Sequence, residues 1–354
     1  MLKFFHFTFF TLFFTILVRA QNIGSYNVAV STKEVIDQSR LDPFAPDQTP
    51  RSLMISTFKR VAHGCHLTKQ AYMPSEIAKF EGKKLSAYGL PESTFLNLTY
   101  STCSNGKRSR STNQDPVLIF SGALGTTRLF YNLLAATIAQ KGYTVVTVDH
   151  PYDTDIVQFP NGKIITGLDL NDDQIPLAAN TRSLDLNFVA SLFTNGKQNS
   201  IGVLGHSLGG AAALNDLIWS KFSGAINFDG SFFGDLAQVG SHKPILFLSH
   251  TGKNITSDPT WQSSWPKFSG WKKQLEIVGG STHYTFSDFP LIATKLGVDS
   301  GAIAQFSGSL KGDRVMEILS SYTDAFFAKF LKGGKNNALL NGPSKEFPEV
   351  AFDF

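Results

Sequence analysis

The sequence predicts an α/β fold in which a mostly parallel central sheet is covered by helices on both faces. Three observations carry that expectation. Short apolar runs such as PVLIFSG, YTVVTVDHP, SIGVLGHS and PILFLSHTG have the length and composition of strands buried on both sides. Between them lie stretches of helical periodicity, several closed by glycine. Finally, Gly122, His150, Ser207, Asp229 and the segment around His283 all fall at the carboxyl ends of strand-like runs, where ligands sit in such sheets.

Taken in order, residues 1–20 (MLKFFHFTFFTLFFTILVRA) hold one early lysine, an apolar run from Phe4 to Val18, and small residues at Val18 and Ala20. That is the layout of a secretory signal peptide cut between Ala20 and Gln21, and the run is short for a membrane span. Residues 21–51 are polar, end in a proline-rich stretch, and predict an extended lead-in to a single domain covering 21–354. SLMISTFKRVA predicts a strand, residues 75–90 a helix and residues 96–100 another strand. The regular core starts with the strand at 116–122, followed by a helix at 127–142, a strand at 143–151 and an excursion over 152–180. Within the excursion, DIVQFPNGKIITG predicts two short strands around a Pro-Asn-Gly turn, and the whole segment is expected to cover the pocket. Then come a helix at 182–197, a strand at 200–207, a helix at 209–224, strands at 225–230, 244–252 and 274–280, and an amphipathic helix at 314–334.

Composition suits a secreted globular chain. Hydrophobic residues make up 42% and charged residues 17% of 354 positions, enough for a large core. Losing Lys3 and Arg19 with the leader leaves 30 basic against 28 acidic residues, so charge gives no reason to expect a nucleic-acid partner. The two cysteines, Cys65 and Cys103, are expected to pair in an oxidising compartment. Asn97 and Asn254 open Asn-X-Thr sequons and are candidate glycan acceptors.

The chemistry centres on Gly205-His206-Ser207-Leu208-Gly209. A serine flanked in this way, between an apolar strand and a helix, sits on a sharp turn that lifts its oxygen above the sheet, the nucleophile elbow of the α/β-hydrolase fold. An alcohol needs a base, and the base needs an acid to orient it. The order Ser–acid–His leaves His242, His250 and His283 as candidate bases. His283 is preferred because GGSTHYTF is a glycine-rich loop after the last strand. Asp229, ending AINFDG, is preferred as the acid over Asp258, which follows the sequon at Asn254, and over Asp235. The N–H of Leu208 is one candidate oxyanion donor, and the loop SGALG offers Ala123 or Leu124 as the second.

Other polar residues have plainer readings. His150 is a candidate pocket residue, Arg182 and Asp185 are expected to form a local ion pair on a helix, and His206 is expected to pack behind the serine. No His, Cys and Asp grouping shows metal-ligand spacing, and no phosphate-binding loop occurs, so neither metal nor cofactor is expected.

These segments resemble the plasma-type platelet-activating-factor acetylhydrolases and their fungal secreted relatives. FSGALGTTRLFY is similar to the family's oxyanion loop, GHSLGGAAAL to its elbow, INFDG to its acid-bearing strand end and GGSTHYTFSDFP to its histidine segment. RLDPFAP and VDHPYD resemble the fungal branch. The resemblance implies a triad of Ser207, Asp229 and His283, and Leu124 and Leu208 as oxyanion donors. It also implies hydrolysis, without calcium, of short or oxidised sn-2 acyl chains of phospholipids; a lipid interface is a candidate contact for such a substrate. The chain departs from the animal enzymes in two places, with Leu208 where they carry an aromatic and Gly122-Ala123 where they carry His-Gly. A broad carboxylesterase, lipase or polyester hydrolase is the alternative activity. A silent hydrolase fold used for binding is a remoter one.

Overall fold

The computed structural model describes residues 20–61, 65–104, 115–194, 201–219, 221–233, 240–298, 301–334 and 337–352. In chain order the elements are β1 (Gln21–Ser25), β2 (Val28–Leu41), β3 (Pro50–Arg60), β4 (Leu67–Ala71), α1 (Ser75–Leu85), β5 (Leu98–Cys103) and β6 (Val117–Ser121). Next come α2 (Asn132–Gln140), β7 (Thr144–Asp149), β8 (Ile156–Gln158), β9 (Ile164–Thr166), α3 (Ile175–Ser191), β10 (Ile201–His206), α4 (Leu208–Trp219) and β11 (Phe222–Phe228). The chain closes with β12 (Ile245–His250), α5 (Pro259–Ser264), β13 (Lys272–Ile277), α6 (Phe289–Leu296), α7 (Ala302–Ser307), α8 (Gly312–Leu331) and β14 (Val350–Phe352).

Nine strands form one sheet in the order β14-β13-β12-β11-β10-β6-β7-β3-β2. Its six central strands, β7 to β13 across the sheet, are parallel, while β3, β2 and β14 run antiparallel at the two edges. Period-two alternation explains why the central runs read as continuously apolar. Leu118 and Phe120 of β6 join the core on the face of α2, α6 and α8, whereas Val117 and Ile119 join the core under α3, α4 and α5. Each strand thus buries both faces, and polar groups gather at strand ends.

The predicted α/β-hydrolase architecture holds, while β4 falls where a loop was expected, α2 begins only at Asn132, α5 to α7 are additions, and other boundaries move. Residues 21–51 are no simple lead-in, because they contain β1 and the 14-residue edge strand β2. VAVSTKEVIDQSRL buries only Val28, Val35 and Asp37, with Val28 and Val35 in the cores on opposite faces of the sheet, and mixes charged with apolar residues, which hides an edge strand from a hydrophobic scan. The helix expected from residue 182 starts at Ile175, with Pro176 in its first turn, where a missing N–H costs nothing. The last parallel strand is followed by the short antiparallel β14. The Pro-Asn-Gly hairpin is found as β8 and β9, with Gly162 at φ 86°. A three-stranded sheet, β1-β5-β4, stands apart, and the Cys65–Cys103 disulfide ties its β5 to the residues leading into β4. Residues 1–19 of the expected leader, and Asp235, lie outside the described residues.

Candidate active site

Ser207 sits between β10 and α4 with φ 56°, a left-handed conformation rare for a residue with a side chain. Tight backbone packing imposes that turn. A Cβ on Gly205 would collide with the backbone of Gly209, and one on Gly209 with the carbonyl of Ser121. The Ser207 N–H donates to Phe228 O at 2.8 Å, which ties the elbow to the neighbouring β11. The hydroxyl of Ser207 makes no hydrogen bond among the described residues.

One strand over, Asp229 follows β11 with φ 61° and a side chain fully shielded from solvent. Its N–H donates to Leu248 O at 2.8 Å. Nδ1–H of His283 donates to Asp229 Oδ2. Nδ1 of His250 lies 2.8 Å from each carboxylate oxygen, and the His250 backbone N–H reaches Oδ1 at 3.2 Å. Burial alone raises the Asp229 pKa, but the hydrogen bonds from His250 and His283 and the nearby Lys253 ammonium outweigh it and hold the carboxyl well below the usual range. An anionic acid with a neutral, Nδ1-protonated His283 leaves Nε2 of that ring as a proton acceptor.

The donors around Ser207 are fixed by a second chain of hydrogen bonds. The Ala123 N–H donates to Tyr131 Oη at 2.8 Å, and Tyr131 Oη–H donates to His206 Nδ1 at 2.9 Å. His206 Nε2–H in turn donates to the backbone carbonyl of His283 at 2.8 Å. Only this tautomer of His206 satisfies every partner, and burial, with His283 beside it, pushes its pKa well below the usual value. The Ala123 N–H is therefore consumed. The Leu124 N–H makes no hydrogen bond among the described residues, and Leu208, first residue of α4, lacks an intrahelical acceptor for its own. Of the two donors left open in SGALG, Leu124 is the one with a spare hydrogen.

Beneath the same loop lies a buried polar network. Arg182 donates to Ser121 Oγ at 3.1 Å, to Ala123 O at 3.1 Å and to Gly122 O, and it pairs with Asp153. Ser121 Oγ also meets His150 Nε2 at 2.9 Å, and His150 Nδ1 meets Asp185 Oδ2 at 2.9 Å. Asp185 is further held by Arg51 and Arg40 at 2.8 Å each. The local Arg182–Asp185 ion pair is therefore a mistaken expectation. The two residues lie on one helix, but each reaches a partner on another element, Asp153 for the arginine and Arg40, Arg51 and His150 for the aspartate. His150 lines no open pocket, since it is 1% exposed.

The rejected candidates are also accounted for. Asp258 caps α5 by accepting the N–H groups of Thr260 and Trp261, and Lys253 lies 3.4 Å away. His242 meets Ser269 Oγ at 2.5 Å on the surface. His250, read from the sequence only as an alternative base, instead joins His283 on the same carboxylate. Sequence spacing showed no metal-ligand group, yet the fold brings donor atoms of Asp229, His250 and His283 within 4.8 Å of one another.

Comparison with known proteins adds an independent line. A family model described as platelet-activating factor acetylhydrolase, isoform II, matches residues 68–159 and 168–345. A probable 1-alkyl-2-acetylglycerophosphocholine esterase of Arthroderma benhamiae is 34% identical over 93% of this chain and 92% of its own length. A platelet-activating factor acetylhydrolase of Cavia porcellus is 22% identical over 64% of this chain and 61% of its own. Among solved structures, a ferulic acid esterase from Streptomyces cinnamoneus superposes with a TM-score of 0.78 at 27% identity, covering 92% of this chain and 96% of that one.

Proposed function

The chain belongs to the platelet-activating factor acetylhydrolase isoform II family of esterases, and on that premise we propose that it hydrolyses esters through an acyl-enzyme on Ser207. His283 Nε2 takes the serine proton as the hydroxyl attacks the ester carbonyl, then returns it to the leaving alcohol. Asp229 keeps the imidazole in the Nδ1–H tautomer and stabilises the transient imidazolium. The N–H groups of Leu124 and Leu208 receive the oxyanion, each worth roughly 3 kcal/mol of barrier. Water then repeats the sequence on the acyl-enzyme. The observation that carries this reading is the pairing of a left-handed serine elbow with an acid that meets His283 from the next strand end.

For the substrate we propose short or oxidised sn-2 acyl chains of phospholipids, presented at a lipid interface; the name of the Arthroderma relative, an acetylglycerophosphocholine esterase, supports the short acyl chain and the phospholipid. The ferulic acid esterase neighbour supports a second reading, a broader esterase acting on simple esters. Hydrolysis rates over a phosphocholine series of rising sn-2 acyl length, beside matched simple esters, separate the two. A steep fall with length and a preference for phospholipid favour the first. Equal or better turnover of simple or long-chain esters favours the second.

We further propose that the mature protein is secreted, starting at Gln21, with the excursion over 152–180 covering the pocket and glycans on Asn97 and Asn254. Support comes from β1 beginning at Gln21 and from the Cys65–Cys103 disulfide, at home in an oxidising compartment. Both asparagines are half-exposed. Amino-terminal sequencing and glycosidase digestion of protein from the culture medium test these points. Retention of residues 1–20, or no mobility change on deglycosylation, would refute them.

A further inference from the structure

A hydrolytic triad needs one imidazole on its acid, and this carboxylate carries two. We propose that Asp229, His250 and His283 form an inhibitory site for a divalent transition-metal cation such as zinc. Asp229 directly follows β11, His250 ends β12 and His283 lies in the segment after β13, and their donor atoms lie within 4.8 Å. Zinc bound by nitrogen and oxygen at about 2.0–2.2 Å holds its donors roughly 3.4 Å apart in a tetrahedron, so shifts of about 1 Å or less suffice. Two imidazole nitrogens and one carboxylate suit such ions, and three protein ligands leave one position for water.

Access and rigidity are divided usefully. Asp229 is fixed and shielded, while the side chains of His250 and His283 are 31% and 38% exposed, so an ion can enter from solvent and the rings can adjust. The Lys253 ammonium, 4.0 Å from Asp229 Oδ1 and 3.4 Å from Asp258, opposes a second cation, so zinc is expected to bind more weakly here than in a dedicated structural site, at about micromolar affinity.

Coordination has a defined chemical consequence. Both rings now carry their hydrogen on Nδ1, facing the carboxylate. To bind a metal through Nδ1, each neutral ring must carry its hydrogen on Nε2 instead, with no net proton released. His283 Nε2–H then cannot accept the serine proton, so metal binding and catalysis exclude each other. The inhibition rests on the proposed triad, whereas the binding does not.

Two measurements test this: calorimetric titration of zinc into full-length Ser207→Ala protein, and inhibition of wild-type ester turnover by zinc, with magnesium as a hard-cation control. One site with micromolar affinity, matching inhibition, and no effect of magnesium are expected. His250→Asn keeps a hydrogen-bond donor for Asp229 but removes a ligand, and is expected to weaken zinc binding at least tenfold. Absence of zinc binding to Ser207→Ala, or unchanged affinity in His250→Asn that remains folded by circular dichroism, overturns the proposal. If zinc binds in a His250-dependent way while Ser207→Ala still turns over ester, the metal site stands and the serine reading falls.

Discussion

Two sets of serine, histidine and aspartate, with their serines at the ends of neighbouring strands, have opposite characters: one is a closed hydrogen-bonded chain, the other the proposed triad. In the chain Ser121–His150–Asp185 every link is closed, at 2.9 Å from serine to histidine and 2.9 Å from histidine to aspartate. Ser121 lies in β6, all three residues are 1% exposed or less, and Arg51, Arg40 and Arg182 fill the remaining lone pairs. In Ser207–His283–Asp229 the serine stands on a left-handed turn, its hydroxyl has no partner among the described residues, and the histidine side chain is 38% exposed. The same three residue types therefore stand in different surroundings. Access to substrate and an unsatisfied, strained serine define the proposed nucleophile. Arg182, which donates to Ser121 Oγ of the saturated chain, holds the carbonyls of Gly122 and Ala123 from below.

The sharpest break between the two is a matched pair of serine substitutions. Ser207→Ala is expected to lower kcat for ester hydrolysis by about 10⁴-fold or more, and Ser121→Ala by no more than about tenfold. Steady-state kinetics on a short-chain ester measures both.

The acids come next. Asp229→Asn is expected to cost about 10⁴ in kcat by favouring the wrong tautomer of His283, with little change in denaturation midpoint. Asp185→Asn removes one of buried Arg51's two carboxylate partners, leaving Asp42, and takes the anion from His150 and Arg40 as well, so it is expected to cost about 2–4 kcal/mol of stability instead. Urea unfolding beside kcat distinguishes the two patterns, and equal effects on both properties would erase the distinction.

A smaller effect is expected for Arg182→Lys. The ammonium can stay near Asp153 but cannot span Gly122 O, Ala123 O and Ser121 Oγ together, so the loop loses its anchor. A loss of about 10–100-fold in kcat with KM nearly unchanged is expected, as for a misplaced oxyanion donor. A KM effect alone would place Arg182 in substrate binding.

The smallest expected effect is on pH. Burial lowers the pKa of both His150, with Arg182 adding to it, and His206, with His283 adding to it. A depressed histidine contributes stability that is present above its unfolded value of about 6.5 and lost as pH falls through the folded one. Unfolding free energy is therefore expected to decline below about pH 6.5, and His150→Gln is expected to flatten that decline. An unchanged slope in the variant would show that His150 takes up its proton without cost.

The sequence made the exposed chain legible because its members sit at the ends of apolar strands, where a nucleophile elbow and a glycine-rich loop leave local signals. In the buried chain Ser121 and His150 also fall at strand ends, but no local signal joins them to each other or to Asp185. Ser121, His150 and Asp185 are spaced 29 and 35 residues apart, and only strand order shows that β6 and β7 adjoin. Arg182 and Asp185 were misread for a related reason. Helical spacing suggested a local pair, while each side chain had a better partner on another element. His250 and Asp229 meet because β11 and β12 are neighbours in register, Phe228 against Leu248, a pairing no spacing rule reveals. Edge strand β2 left no signal because only three of its 14 residues are buried, split between the two faces of the sheet.

The most direct measurement is rapid quenching of the full-length protein with p-nitrophenyl acetate, followed by peptide mapping of the acylated residue. An acetyl group on Ser207, accumulating in a burst and absent from Ser207→Ala, is the predicted result. Acetylation at Ser121, or turnover with no serine adduct and no loss in Ser207→Ala, would contradict the account.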